Sequence, residues 1–256
     1  MKKLPLFVLT VLSFTAFAQK GIHESILFEK PPVIDGKMED WTAEWWLDPD
    51  GKFLSNVGND ADNLYFRLKI SDEPTQLKIG WFGMSLRLNP KGKRKGKVGL
   101  KYPVGKDASE LKKEKPIAAD ADIATKVAMK KELVSDVEVV ELIGLAKENI
   151  VSSRLGLANG IEAILLAQDD GTYVYEAKIP FKAFKIKREE VPLLGVEFET
   201  GRLVQKSAAP TSNPGSNPMS RGPGGYGQQQ PRQYYSSYSY NPMSTPGYLW
   251  LGIKLK

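Results

Sequence analysis

The side chains in this chain best suited to chemistry are carboxylates, and two sets of them are closely spaced. Val33-Ile34-Asp35-Gly36-Lys37-Met38-Glu39-Asp40-Trp41 brings three acids into one short stretch, and Asn59-Asp60-Ala61-Asp62-Asn63 adds two more. Asp35, Glu39, Asp40, Asp60 and Asp62 are oxygen donors of the kind a hard cation such as Ca2+ takes when a loop gathers several of them. The competing reading is local. Asp35-Gly36 is a turn in which Gly36 supplies a permissive backbone, and Asp60 and Asp62 form an Asx-turn ahead of a strand. Asp48-Pro49-Asp50-Gly51 reads as a turn. Acid–base chemistry on a sugar would need two carboxyls facing one another across a cleft. No spacing pairs Glu176 with a second acid, and Glu197 and Glu199 are simply strand acids further on. Glu176 therefore reads as a solvated or ion-paired group on a sheet face.

Other chemistry is excluded by composition. The chain has no Cys and a single His, His23, which removes thiol nucleophiles, disulfides and Cys-ligated zinc. A Ser-His-Asp site needs a His held by a rigid scaffold, whereas His23 stands near the start of the chain. Flat aromatic faces and hydrogen-bonding groups suit a sugar, and the aromatics to watch are those out of phase with a core strand. Leu249, Leu251, Ile253 and Leu255 alternate inward, so Tyr248 and Trp250 face the other way. Trp81 and Arg87 are likewise out of phase with Phe82, Met84, Leu86 and Leu88. These four are the candidate ligand platform: Trp81, Arg87, Tyr248 and Trp250. The alternative is that a loop or helix covers them.

The elements that must position these groups are mostly strands. Alternation runs through Leu64–Ile70, Phe82–Leu88, Val98–Tyr102, Val137–Ile143, Gly160–Ala167, Tyr173–Ile179, Gly195–Leu203 and Gly247–Leu255. Asp169-Asp170-Gly171 is a hairpin signal, and Phe181–Phe184 reads as a turn of helix after Pro180. Leu64–Ile70 is expected to be buried on one face only. Residues 103–133 read as a surface loop with one or two short helices, chiefly around Ile123–Leu133. Residues 207–246 hold no acid, few aliphatics and the run GPGGYGQQQPRQYYSSYSY, and are expected to be a disordered loop between two core strands. With this strand content the fold class is an all-β, antiparallel, jelly-roll-like β-sandwich, in which the opening stretch closes one edge and Trp41 enters the edge of the core.

Residues 1–18 have the three regions of a signal peptide: Lys2 and Lys3, an apolar run, and Ala16-Phe17-Ala18. Without those two lysines the count falls from 36 basic residues to 34 against 30 acids, a net charge of +4. Part of that charge sits in Lys91-Gly92-Lys93-Arg94-Lys95-Gly96-Lys97. Such a run is either a solvated hairpin tip that protects a sheet edge or a surface for an acidic polysaccharide or membrane. Export and mild charge argue against a nucleic-acid partner, and no second stretch is apolar enough to span a bilayer.

The motif order is Pro32-Val33-Ile34-Asp35-Gly36, Glu39-Asp40-Trp41, Asn59-Asp60-Ala61-Asp62-Asn63-Leu64-Tyr65-Phe66, then Tyr175-Glu176-Ala177-Lys178-Ile179-Pro180-Phe181 and a closing strand. It resembles the family 9 carbohydrate-binding module and its DOMON-like relatives over residues 19–256, apart from 103–133 and 207–246. The resemblance implies a β-sandwich that binds sugars, with calcium as a structural ion and no catalysis. It does not locate sugar-clamping tryptophans. The expectation is an exported, non-catalytic module for a carbohydrate or cell-envelope glycan, in the periplasm, at the surface or secreted. The alternatives are an envelope protein-interaction scaffold using the tyrosine-rich loop and basic hairpin, and, last, a carboxylate glycosidase.

Overall fold

The structure, a computed structural model, describes residues 21–113, 120–135, 139–145, 150–151, 158–204 and 241–256. The signal-peptide reading of residues 1–18 and most of the polar segment 207–246 lie outside these. Among the described residues no helix is long and apolar enough to cross a membrane.

Among the described residues thirteen strands and three α-helices follow one another: β1 (Ile22–Glu24), β2 (Ile26–Leu27), β3 (Trp46–Leu47), β4 (Phe53–Asn59), β5 (Asn63–Ile70), α1 (Glu73–Phe82), β6 (Gly83–Asn89), β7 (Val98–Val104), α2 (Ala108–Leu111), α3 (Ile123–Leu133), β8 (Glu141–Ile143), β9 (Ile150–Val151), β10 (Glu162–Ala167), β11 (Tyr173–Pro180), β12 (Leu194–Thr200) and β13 (Tyr248–Lys254). They form a β-sandwich. One sheet has the order β1-β13-β12-β6-β7-β8-β9, and the other β10-β11-β5-β4-β2 with β3 also on β4. The pairing is antiparallel except at two edges, where β1 runs parallel to β13 and β2 parallel to β4.

Period-two alternation builds the core. Leu64, Phe66, Leu68 and Ile70 of β5 face Met84, Leu86 and Leu88 of β6, Val196 and Phe198 of β12, and Leu249, Leu251 and Ile253 of β13 in one buried cluster. Phe198 is the centre of the interlayer contact, with Phe66 edge-on at 6.1 Å and Tyr175 edge-on at 6.2 Å. The Asp-Gly hairpin forms as expected: β10 and β11 are joined through Gln168 and Thr172, with Gly171 at φ 76.

Several readings are corrected. Trp81 and Phe82 end helix α1 rather than open a strand. The helix starts where Asp72 accepts from Thr75 N, with a proline in the first turn. Its pattern escaped detection because it has no clear apolar face; Thr75, Gln76 and Lys78 are as buried as Ile79. β4 was missed because Phe53-Leu54-Ser55-Asn56-Val57-Gly58-Asn59 mixes polar residues into both faces, all but Leu54 buried. β5 is buried on both faces, including Tyr65 at 0% and Arg67 at 2% exposure. The last residues of the polar segment form a 3-10 turn, Pro242–Ser244, whose Met243 carbonyl accepts from Leu203 N. His23 is not loose: it lies in β1 and stacks on Trp46 at 4.2 Å, and burial lowers its pKa. Helix α3 occupies the expected residues.

Phe198→Ala is expected to lower stability by about 3–5 kcal/mol, because it removes a buried ring that both Phe66 and Tyr175 meet edge-on. Urea unfolding followed by tryptophan fluorescence measures this.

Candidate functional site

The outer face of the second sheet carries charge at its centre. Across three strands the register aligns Asn56 of β4, Arg67 of β5 and Glu176 of β11 in one row. Both charged side chains are out of phase with the core and both are buried, Glu176 at 0% exposure. Burying such groups is costly unless each polar atom finds a partner. Arg67 Nε donates to Asn56 Oδ1 at 2.8 Å, and Nη2 donates to the Ala43 carbonyl at 2.7 Å. Its guanidinium lies 3.9 Å from the Trp45 ring centroid and 4.9 Å from that of Trp41. Glu176 Oε2 accepts from Gly36 N at 2.8 Å and Asp35 N at 3.2 Å, while Oε1 accepts from Trp41 Nε1 at 3.2 Å.

Every one of those partners except Asn56 comes from one strap, residues 33–45, which crosses the sheet face. Gly36 takes φ 76 so that two successive N–H groups point at the carboxylate, and Leu166 leaves no room there for a Cβ. Upstream, Phe28 packs onto Gly58 and meets Trp41 and Tyr65 edge-on at 4.9 and 5.5 Å. Downstream, Asn56 Nδ2 donates to the Glu44 carbonyl at 2.9 Å. The opening stretch therefore covers a sheet face instead of closing an edge, and Trp41 is buried against charge, outside the main core cluster. Glu176 lies on a sheet face as expected, but the strap covers it, which corrects the solvated alternative of its reading from sequence.

Burial pushes the Glu176 carboxyl up to about 7, against the downward pull of its three N–H donors. Burial also brings the Arg67 guanidinium down to about 10, and the Glu176 charge opposes that shift. Arg67 therefore stays charged at neutral pH.

A cleft of about 630 Å3 opens where the strap crosses, lined by Gly36, Lys37, Met38, Glu39, Trp41, Ala43, Trp45, Arg67, Lys69, Gln168, Asp169, Asp170 and Val174. Its charged groups balance, with Lys37, Arg67 and Lys69 against Glu39, Asp169 and Asp170. Several are already engaged: Lys69 with Asp170 at 3.0 Å, Lys131 with Asp169 at 2.6 Å, and Lys37 with Asp35 at 3.3 Å. A second cleft of about 640 Å3 lies at Asp62, Lys178, Pro180 and Arg188, but no tryptophan lines it.

Three of the candidate metal ligands, Asp35, Asp40 and Asp60, act as turn groups. Asp35 Oδ1 accepts from Lys37 N at 2.9 Å, a bond that lowers its pKa, and Asp40 Oδ2 accepts from Val33 N at 2.7 Å. Asp60 accepts from Asp62 N, Asn63 N, Asn63 Nδ2 and Tyr65 Oη. Burial raises the Asp60 pKa, and these donors more than reverse it. Asp62 and Glu39 are exposed. Among the described residues no three His, Asp or Glu are grouped to hold an ion. Carboxylates turned toward N–H and O–H donors do not fit a calcium site, which needs several free oxygens converging.

The candidate platform divides. Arg87, Glu197 and Trp250 share one row on the outer face of the first sheet, with Tyr248 one row on. Trp81 belongs to α1 and is not in that row. The residues are also covered, since the β6–β7 hairpin folds back over them. Lys95 N donates to Glu197 Oε2 at 2.7 Å, Tyr248 Oη donates to the same oxygen at 3.3 Å, and Arg94 lies 5.5 Å from the Trp250 centroid. Burial, then the Glu197 charge, raises the Tyr248 hydroxyl to about 12. Sequence reading missed Arg67, Trp45 and Asn56 as site residues. The available signal was an Arg in the middle of a strand and a Glu in the middle of another, with registers that happen to align.

No family model matches the chain, and a search of curated proteins finds no match. Among solved structures, the chain is similar to a family 9 carbohydrate-binding module from Caldicellulosiruptor kristjanssonii in complex with glucose. The identity is 13%, the TM-score 0.34, and the match covers 70% of this chain and 77% of that one. A family 9 module of the same organism in complex with cellotriose gives 13% identity and a TM-score of 0.31, over 69% of this chain and 75% of the other. The β-sandwich is the fold class that the motif resemblance implied.

Two outcomes test the charged row. Glu176→Ala should cost about 3 kcal/mol or more, because Asp35 N, Gly36 N and Trp41 Nε1 are left buried without their acceptor. The second is a pH dependence. The folded state holds a proton on Glu176 up to about 7, while an ordinary Glu releases it near 4.5. The contribution is therefore full below 4.5 and falls as pH rises to 7, by about 3 kcal/mol at 1.36 kcal/mol per unit. Wild-type stability minus that of Glu176→Gln, measured by urea titration across that window, should decline; a flat difference contradicts it.

Proposed function

We propose that this chain is a non-catalytic carbohydrate-binding domain, and that the cleft over Arg67 receives the sugar. The observation that carries the reading is a concave site with two indoles, a fixed guanidinium, an amide and carboxylates in one lining. Indole faces suit the C–H face of a sugar ring, and a few placed polar groups suit its hydroxyls. The lining's charges balance, which favours a neutral polyhydroxylated ligand over an ion. Arg67 is held at Nε and Nη2 and stacked on Trp45, so little ordering entropy remains to be lost on binding.

The same geometry supports binding over catalysis. Glu176 is the buried acid a glycosidase could recruit, but its oxygens are committed to Asp35 N, Gly36 N and Trp41 Nε1. The reading includes export, on the strength of the signal-like residues 1–18, and a cell-envelope or extracellular glycan as ligand. It includes no bound ion.

Calorimetric titration of the full chain with glucose and cellotriose, extended to a glycan array, tests the proposal. Trp45→Ala should weaken binding by about tenfold to a hundredfold, the equivalent of about 1–3 kcal/mol. Chelator should leave the affinity unchanged. Undiminished binding by a folded Trp45→Ala protein would remove the cleft from consideration, and a blank array would remove the function.

A further inference from the structure

The loop between β6 and β7 carries Lys91, Lys93, Arg94, Lys95 and Lys97, five cations in seven residues. All five are exposed, and among the described residues none has an ion-pair partner. A basic tip commonly guards a sheet edge from pairing with another chain. Topology removes that explanation, since β6 and β7 are interior strands flanked by β12 and β8.

Nor does the loop project freely into solvent. It lies back across the outer face of the first sheet. A Cβ on Gly96 would meet Leu88 N at 2.6 Å and the Arg87 carbonyl carbon at 2.7 Å, and Gly195 of β12 sits directly beneath the Lys93 carbonyl. Glu197, 4% exposed, holds Lys95 N, and Arg94 rests over Trp250. Lys95 has φ 64, in the left-handed region where Gly and Asn are the usual occupants. A lysine kept in that conformation is strained and retains its charge. The buried carboxylate fixes the loop's backbone and leaves the five side-chain charges unneutralised.

We propose that this folded-back loop is a docking surface for a polyanionic glycan, one bearing carboxylates or sulfates along its length. A fixed set of like charges gains most from a polymer that neutralises several at once and releases their counterions. Tyr248 and Trp250 lie under the loop, which covers them, so the cations and not the rings meet the polymer. Apart from Pro90 the loop contains only Lys, Arg and Gly, with no large apolar side chain to enter a bilayer. The surface lies on the opposite sheet from the Arg67 cleft and is independent of it.

The test uses the full chain titrated with dextran sulfate and with polygalacturonate, against neutral dextran, following the tryptophan emission that Arg94 should perturb at Trp250. Binding to both polyanions, absent for dextran and weakening steeply with salt, is expected. Lys93→Glu/Arg94→Glu/Lys95→Glu should lose binding by about tenfold or more, with circular dichroism and melting temperature confirming the fold; Arg94→Ser alone should show a smaller loss. Lys112→Glu/Lys113→Glu/Lys185→Glu makes the same change in net charge elsewhere and should retain binding. Trp45→Ala should retain it too, which separates this surface from the cleft. Equal loss in both charge-reversal proteins would reduce the effect to net charge and overturn the proposal. So would polyanion binding untouched by the loop reversal, or binding to anionic phosphatidylglycerol vesicles without binding to either polymer.

Discussion

An arginine and a glutamate buried side by side at the centre of a sheet face set the terms for much of this structure. Neither Arg67 nor Glu176 can be left to a dry environment without partners, and the sheet itself supplies only Asn56. The remaining donors and acceptors belong to residues 33–45: the Ala43 carbonyl, the N–H groups of Asp35 and Gly36, and the Trp41 indole. A pair of this kind is a weak source of net stability, since its desolvation offsets its attraction. What it does here is specify where an otherwise irregular segment must lie. An apolar pair in the same place would tolerate the strap in many positions; directional bonds tolerate one.

The cleft is a consequence of that placement. Its walls are the strap and the β10–β11 hairpin, and its floor is the guanidinium that the strap was needed to satisfy. Trp45 both stacks on Arg67 and lines the opening, so structural and ligand-facing roles fall on one residue. The opposite sheet repeats the device with Glu197 and the β6–β7 loop, where a buried strand carboxylate again takes a backbone N–H from a crossing segment. In each case the sandwich face that an alternating pattern would leave to solvent is covered by chain of irregular conformation.

Sequence patterning located the inward faces of β5, β6, β11 and β13, because alternation of large apolar residues directly encodes which side meets the core. It also located the hairpin at Asp169-Asp170-Gly171 and the helix at Ile123–Leu133, where the signal is local. It failed at α1, which lacks an apolar stripe, and at β4, whose Ser55, Asn56 and Asn59 are buried by partners far away in sequence. It failed at Trp81 for a related reason: β6 begins at Gly83, whose φ of 79 breaks the alternation that the sequence carries back to Phe82. The site residues Asp35, Glu39, Asp40, Asp60 and Asp62 were visible as acids, but whether their oxygens converge or turn to nearby N–H groups depends on backbone direction, which residue type does not encode.

The sequence by itself determined the sandwich, its core and the turn at Asp35-Gly36, because period-two burial and glycine's backbone freedom are local properties. Only the tertiary structure decided what that turn is for. Glu176 lies some 140 residues from Gly36 along the chain, and the register that sets it opposite Arg67 arises from pairing three strands together. The polar outer positions of those strands looked solvent-facing because their own neighbours in sequence are ordinary. Long-range hydrogen bonding converted them into a buried charged row, and with it fixed the strap, the cleft and the aromatic faces that a ligand would meet.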